Sequence, residues 1–447
     1  MTDGPARHRR AFGALLLAGL LTHAPGLTYP REVVFDEATF GKYVAAYCCT
    51  GERIFDVHPP HGKLLIAAAA KLGGFDGQFS FERIGLPYGD TPVWALRLVP
   101  ALAGALIPAL FLWLLLECGA SFPAALLGGI LLAADNAILL ETKIIVWDGV
   151  LVASTLAAIA AFLAALKRTP DVNWRFVLAG ALAGLAVGCK LTGLAAPGLM
   201  AICLAFGIGG ASGRLSVRVK QAAVLIAAGA VIYLGGWWIH WTVLSQPGPA
   251  DGFYTTTGSF LKDMVTFHEA MVRENVRLAA THPDSSAPWT WPLMRVAPYF
   301  WQGDGASIYL VGNPLVWWGS SAALVIIGLA SVLQGLGWSA PTSGNDTATP
   351  WLAIAGYAIA FAPLLPVGRV LFLYHYLTPL TFAVGFTVLW LDRHGWIRAG
   401  GVRAQRISYF VVIGLAILCF LAVSPLTYGF NAGGYDEWLA AVVRSWR

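Results

Sequence analysis

The run Val146-Trp-Asp-Gly-Val-Leu-Val-Ala-Ser-Thr-Leu-Ala-Ala-Ile-Ala-Ala-Phe-Leu-Ala-Ala-Leu166, closed by Lys167-Arg168, decides the fold. A helix made from it is apolar on nearly every side. About 20 such residues span the hydrocarbon of a bilayer, and there every backbone polar group needs an internal partner, so the run is a helix. Working outward, about eleven runs of this kind follow one another. They lie near 11–27, 95–116, 121–138, 146–166, 175–189, 191–209, 221–244, 314–335, 351–367, 371–391 and 407–425. The run 121–138 and the split at Gly188–Lys190 are the weakest of the set. No segment alternates with a period of two, which argues against a β-barrel. The expected fold class is an all-α polytopic membrane protein, residues 1–447 forming one integral membrane domain.

Composition agrees. The chain is 57% hydrophobic and 12% charged, where a soluble protein carries roughly a quarter charged residues. The net charge of +5 does not call for nucleic acid, because its cations sit in short clusters that flank the apolar runs. These are Arg7 to Arg10, Lys167-Arg168 with Arg175, Arg214/Arg218/Lys220, and Arg393/Arg398/Arg403/Arg406. That is the positive-inside pattern. With the N-terminus in the cytoplasm, the basic connections 167–175, 210–220 and 392–406 fall inside. Two large loops, 28–94 and 245–313, fall outside, as do the short turns near 139–147, 188–191 and 366–371. The 11–27 run is read as a first spanning helix rather than a signal peptide, since it is long for an h-region and lacks a small-x-small cleavage site. The connection 336–350 reads as flexible, and its Asn345 sequon, on the inner side, is without meaning. Gly180, Gly184 and Gly188 form a small-residue packing ridge. The six cysteines read as free, inert thiols, including the adjacent Cys48-Cys49.

The outer face collects the ionisable residues: Asp36, Glu37, Arg97, Asp135, Glu141, Lys143, Asp148, Lys190 and Arg369. Charges at a membrane boundary are costly, so they mark function by default. Arg97, Lys190 and Arg369 suit a phosphate headgroup. A carboxylate near such cations suggests a general base beside a leaving-group site.

Several stretches, in order between about 34 and 428, resemble the protein O-mannosyltransferase family, GT-C glycosyltransferases that use a dolichyl- or polyprenyl-phosphate mannose. They are Phe35-Asp-Glu-Ala-Thr-Phe-Gly41, Phe55-Asp-Val-His-Pro-Pro-His-Gly-Lys63, Ala134-Asp-Asn136 with Ile145-Val-Trp-Asp148, Gly188-Cys-Lys190, His282-Pro-Asp-Ser-Ser-Ala-Pro-Trp-Thr-Trp-Pro-Leu293, Gly312-Asn-Pro-Leu-Val-Trp-Trp318 and Phe372-Leu-Tyr-His-Tyr376. The departures are His61 in place of an apolar residue, Asp284 in place of a tyrosine, and Glu141-Thr-Lys143 in place of a Ser-Arg pair. The loop 245–313 is too short for the soluble β-trefoil domain of eukaryotic members, so the resemblance is to compact bacterial ones.

The resemblance implies a GT-C-like fold in the bacterial inner (plasma) membrane, acting on its extracytoplasmic side. A sugar, with mannose the expected one, passes from a polyprenyl-phosphate lipid to Ser/Thr of an exported protein or peptide. Asp36 is the implied base. Glu37 orients the acceptor, pairs with a cation or binds a divalent ion. Arg369 is the first choice for the donor phosphate, with Lys190 and Arg97 behind it. His58, Lys63, Asp148, His282, Tyr374 and His375 are expected to position substrate or loop. Trp289 and Trp291 either stack on sugar or peptide, or anchor in the interface. Pro59-Pro60 forbids a regular helical metal pair from His58 and His61, and no metal site is assigned. No nucleotide fingerprint is present, which favours a lipid-linked donor. The alternatives are the same chemistry on a lipid acceptor, as in aminoarabinose transferases, and a polyprenyl-lipid transporter, which would place charges nearer the midplane.

Overall fold

A computed structural model describes residues 4–446, except 169–170, 209, 212, 255–256, 278–280, 336–347 and 397–400. The connection expected at 336–350 and Arg398 therefore lie largely or wholly outside the described residues. In chain order the helices are α1 (Gly4–His23), α2 (Glu37–Ala45), α3 (His61–Leu72), α4 (Val93–Glu117), α5 (Phe122–Ala133), α6 (Asn136–Glu141), α7 (Asp148–Arg168), α8 (Trp174–Cys189), α9 (Ala195–Phe206), α10 (Leu215–Val243), α11 (Phe260–Arg277), α12 (Pro314–Gly335), α13 (Ala348–Phe361), α14 (Leu377–Arg393), α15 (Arg403–Tyr428) and α16 (Tyr435–Arg444). Among the described residues the helices are joined by one two-stranded hairpin, β1 (Tyr299–Gly303) with antiparallel β2 (Ala306–Tyr309). Its turn residues Asp304 and Gly305 both have positive φ, 50° and 72°, the twist that suits a two-residue hairpin loop.

Among the described residues, five helical segments are long and apolar enough to cross a membrane: Gly4–Leu27, Val93–Glu117, Asp148–Arg168, Leu215–Val243 and Arg403–Tyr428. Other apolar runs are interrupted. The 121–138 run breaks at Ala134-Asp135, because the Asp135 side chain accepts from Ile138 N and caps a new helix, α6. The 371–391 run is helical in the α sense only from Leu377, after a 3-10 turn over Leu373–Tyr376. The split at Gly188–Lys190 is real: α8 ends at Cys189, Lys190 is extended, and α9 begins after a short 3-10 turn.

The opening run forms α7, which is buried along its whole apolar length. It sits against α4, α8 and α9. A helix apolar all round belongs at such a centre. By contrast α10 and α15 expose Ile226, Val231, Trp238, Phe410, Leu418 and Leu421, as lipid-facing helices do. A Cβ on Gly180 or Gly184 would strike the backbone of Leu225 or Gly229, so α8 and α10 touch main chain to main chain. The third member of the ridge serves elsewhere: Gly188 makes room for the His61 ring.

The first loop is a packed layer over the helix ends. Val33, Val44, Tyr47, Ile66, Phe75, Phe81 and Tyr88 from the loop bury against Ile145, Trp147 and Val150. The expectation of free thiols fails at Cys48 and Cys49, which form a disulfide with each other at the end of α2. Adjacency made no such prediction, because the bond needs the local turn that follows α2. Cys118, Cys189, Cys203 and Cys419 are free.

Candidate active site

Three consecutive residues, Phe35, Asp36 and Glu37, point three ways. Phe35 has φ of 37°, the left-handed region, a conformation that persists in a bulky residue only when its surroundings enforce it. They do so here. Its ring stacks on Phe300 at 4.5 Å and meets Phe372 edge-on at 5.5 Å, and its N–H donates to Phe300 O at 3.0 Å. The hairpin thus fixes the start of α2.

Glu37 is fully buried. Its Oε1 accepts from Arg97 Nε at 2.7 Å and Ile145 N at 3.0 Å. Its Oε2 accepts from Arg97 Nη2 at 2.8 Å, Val34 N at 2.9 Å and Tyr88 OH at 2.9 Å. Arg97 spends its remaining donors on the carbonyls of Gly26, Pro30 and Glu32. This corrects two expectations. Arg97 has no donor left for a phosphate, and of the roles open to Glu37 only pairing with a cation is realised. The pair ties the first loop to α4 and to the turn before α7.

Asp36 is different. It is part-buried, and its Oδ2 accepts from Tyr374 OH at 3.1 Å. Burial pushes its carboxyl up to about 6, with Tyr374 and Lys190 drawing it partly back. A carboxylate raised in this way is suited to take a proton near neutral pH. Tyr374 links it to the cations, because the Lys190 ammonium lies over the Tyr374 ring, 5.2 Å from its centre.

Lys190 is buried and donates to both oxygens of Asp148, at 2.8 and 2.7 Å. An ammonium has three donors, so one remains. Lys63 is enclosed too, bonded to Asp56 and, at 2.8 Å, to His58 O. Asp56 in turn accepts from His58 N at 3.2 Å. Lys63 and Asp56 therefore clamp the loop that presents His58. Burial, then the nearby cations, hold His58 well below its ordinary value, so it stands neutral. His61 turns away towards α10, where its Nε2 lies 2.9 Å from Ile232 O.

Arg369 completes the group. Its Nε is buried with no hydrogen-bond partner, and burial lowers its pKa below the usual guanidinium value. With Lys190, His58 and His375 it lines a cavity of about 280 Å³ whose other walls include Leu191, Leu194, Ile359, Pro363, Leu364 and Val367. The lining thus joins two cations and a few polar side chains, Thr192 and Asn275 among them, to a largely apolar wall.

The second outer loop divides. Trp291 is fully buried, donates to Ser286 Oγ at 3.0 Å and stacks near His375 at 6.0 Å, so it belongs to the scaffold. Trp289 is 67% exposed and free to meet a ligand or an interface. His282 packs edge-on against Phe35 and Phe372. The Asp284 carboxylate accepts from Tyr299 N at 3.2 Å and is buried, so this departure holds the hairpin. Sequence reasoning left Asp56 out of the site, although its place seven residues before Lys63 in one short motif was a usable signal.

A family model described as dolichyl-phosphate-mannose-protein mannosyltransferase matches residues 13–246, more than half of the chain, and one for the C-terminal four-helix membrane region of protein O-mannosyltransferases matches 260–446. The chain belongs to the protein O-mannosyltransferase family. Within that family it is 34% identical to protein O-mannosyl-transferase 1 of Mus musculus over 257 residues, which is 53% of this chain and 34% of the mouse protein. It is 33% identical to dolichyl-phosphate-mannose–protein mannosyltransferase 4 of Saccharomyces cerevisiae over 242 residues, 50% of this chain and 32% of the yeast protein. The chain thus spans about a third of the length of the curated relatives it matches. Its fold resembles a chain of the S. cerevisiae protein O-mannosyltransferase complex bound to the sugar donor, with TM-score 0.86 at 18% identity, covering 95% of this chain and 90% of that one. A more distant likeness is to ArnT of Cupriavidus metallidurans bound to undecaprenyl phosphate, with TM-score 0.56 at 16% identity, covering 100% and 70%.

Proposed function

We propose that this family member transfers mannose from a polyprenyl-phosphate mannose to Ser/Thr hydroxyls of exported proteins, with inversion, on the extracytoplasmic face of the bacterial plasma membrane. The observation that carries the reading is Arg369, a cation whose buried Nε has no hydrogen-bond partner among the described residues and which lines a cavity with largely apolar walls. A partly buried cation without a paired anion is suited to receive one. A lipid phosphate fits both ends, its charge on Arg369 and the free donor of Lys190, its chain along Leu191, Leu194, Ile359 and Leu364.

The chemistry follows from this placement. Glycosyl transfer passes through an oxocarbenium-like transition state. The phosphate already leaves well, and Arg369 with Lys190 stabilises the charge it gains. Asp36 takes the proton of the attacking hydroxyl. Tyr374, donating to Asp36 and lying under Lys190, holds the base in register with the leaving group. Basic connections on the far side of the bilayer support the sidedness.

The test is transfer by the purified protein in nanodiscs, given radiolabelled polyprenyl-phosphate mannose and Ser/Thr peptides. Label should enter peptide, and Asp36→Asn should lower the rate roughly 10²- to 10⁴-fold. Label entering a lipid acceptor would replace the protein-acceptor reading. Wild-type-like turnover by Asp36→Asn would remove Asp36 from its role.

A further inference from the structure

The second outer loop carries a helix, α11, that the proposed reaction does not use. One face of it packs inward. Phe267 and Met271 are buried with Trp237, and Phe260 and Met264 rest against the same cluster. His268 donates from Nδ1 to Met264 O at 2.7 Å, which leaves Nε2 to accept from Tyr233 OH at 2.6 Å. The helix is thus fixed on α10.

Its outward face is split along its length. At about 100° per residue, Leu261, Val265, Val272 and Val276 fall on one row about 60° wide. All four are between 52% and 77% exposed. Beside them Lys262, Glu269 and Arg273 form a second exposed row. A helix that rests on protein and otherwise meets only water keeps its exposed face polar, and one that meets only lipid keeps it apolar. An apolar row beside a charged row on one exposed face belongs at the boundary between the two.

The contact with α10 sets the depth. Tyr233, Trp237 and Trp241, which His268 and Phe267 meet, follow one another at four-residue steps near the end of a helix long and apolar enough to cross a membrane. Seven residues before Tyr233, on the same row of α10, Ile226 is 71% exposed. The row is therefore covered by α11 at the end of the span and bare two turns further in. This places α11 where hydrocarbon gives way to water, and its apolar row continues the lipid-facing surface of α10. Lys262 and Arg273 flank that row, as cations do beside headgroups. The last turn of α11 reaches the donor cavity, which Asn275 lines together with Arg369 and Lys190.

We propose that Leu261, Val265, Val272 and Val276 form a membrane-docking surface whose partner is phospholipid, with the apolar row among the acyl chains and the charged row at the headgroups. The surface is independent of which sugar moves and which molecule accepts it. It brings the lipid boundary to the rim of the cavity in which a lipid-linked donor would sit.

The experiment reads the depth of single spin labels on the full chain in nanodiscs of phosphatidylcholine and phosphatidylglycerol, with Cys118, Cys189, Cys203 and Cys419 changed to alanine. Labels are placed by Val265→Cys, Val272→Cys, Lys262→Cys and Arg273→Cys. At 265 and 272 the label should collide mainly with oxygen dissolved in the lipid, and at 262 and 273 mainly with a water-soluble nickel chelate. Equal chelate collision at all four positions overturns the proposal and leaves the row open to a polypeptide. Shielding of 265 and 272 from both probes also overturns it, because protein then covers the row. The unlabelled wild type gives a check that needs no variant. Phospholipid with a photoactivatable diazirine in its acyl chain should leave adducts on the apolar row of α11 as well as on α10. Adducts on α10 with none on α11 would again overturn the assignment.

Discussion

Arg369→Gln should weaken binding of polyprenyl phosphate by about ten- to fortyfold. The figure comes from the charge inventory of the cavity. Lys63 is neutralised by Asp56 and Lys190 by Asp148, both in direct contact. Arg369 contributes the unbalanced positive charge at the cavity wall, and its Nε is without a partner. A hydrogen bond to a charged group is worth roughly 1.5–3 kcal/mol, and each 1.4 kcal/mol is about tenfold in affinity. Because Arg369 is only part-buried, the lower half of that range applies. The change is also clean. Lys190→Gln would strand Asp148 in a buried site and confound folding with binding, whereas among the described residues no acid forms an ion pair with Arg369 to be stranded. Titrating the nanodisc-embedded protein with polyprenyl phosphate, and separately with the uncharged polyprenol, gives the answer. Phosphate affinity should fall, polyprenol affinity should hold, and the melting temperature should stay within a degree or two. Equal losses for both lipids, or none for the phosphate, would refute the assignment of Arg369 to the headgroup.

Three further outcomes follow from the same geometry. Because burial lifts the Asp36 carboxyl to about 6 and the base must be ionised, kcat/KM should rise with pH through about 6 and then level. The same shift has a sign for stability. A carboxyl whose folded value lies above its ordinary value burdens the fold above pH 6 and is relieved as pH falls, so Asp36→Asn should melt no lower than wild type at neutral pH. A pH profile with its acid limb near 4 would contradict this. Arg97→Met should behave oppositely: leaving the buried Glu37 carboxylate unpaired costs about 3–5 kcal/mol, read as a lowered melting temperature or lost expression. A stable Arg97→Met protein with weakened phosphate binding would return Arg97 to the donor site.

Hydropathy and loop charge made the helical membrane architecture legible, and the ordered motifs drew attention to Asp36. They could not tell Arg97 from Arg369. Both are cations at helix boundaries, and only the fold shows that one meets Glu37 across sixty residues while the other faces a cavity. Trp289 and Trp291 share a motif and a chemistry, yet a 3-10 turn sends one outward and one into the core. The break at Asp135 was obscured because one acid in an apolar run reads as a flaw until its capped N–H and its bond to Trp317 are seen.

One of the most apolar stretches of the chain, α7, is enclosed by other helices in the finished molecule. Its hydropathy therefore answers to assembly. A segment must partition into lipid before its neighbours gather round it, and α7 passes through a stage in which lipid is its only surrounding. Its alanines matter at the next stage, when helices replace lipid and close approach counts. A polar substitution on α7 should then be felt first as failed insertion during biogenesis, before any effect on catalysis could be measured.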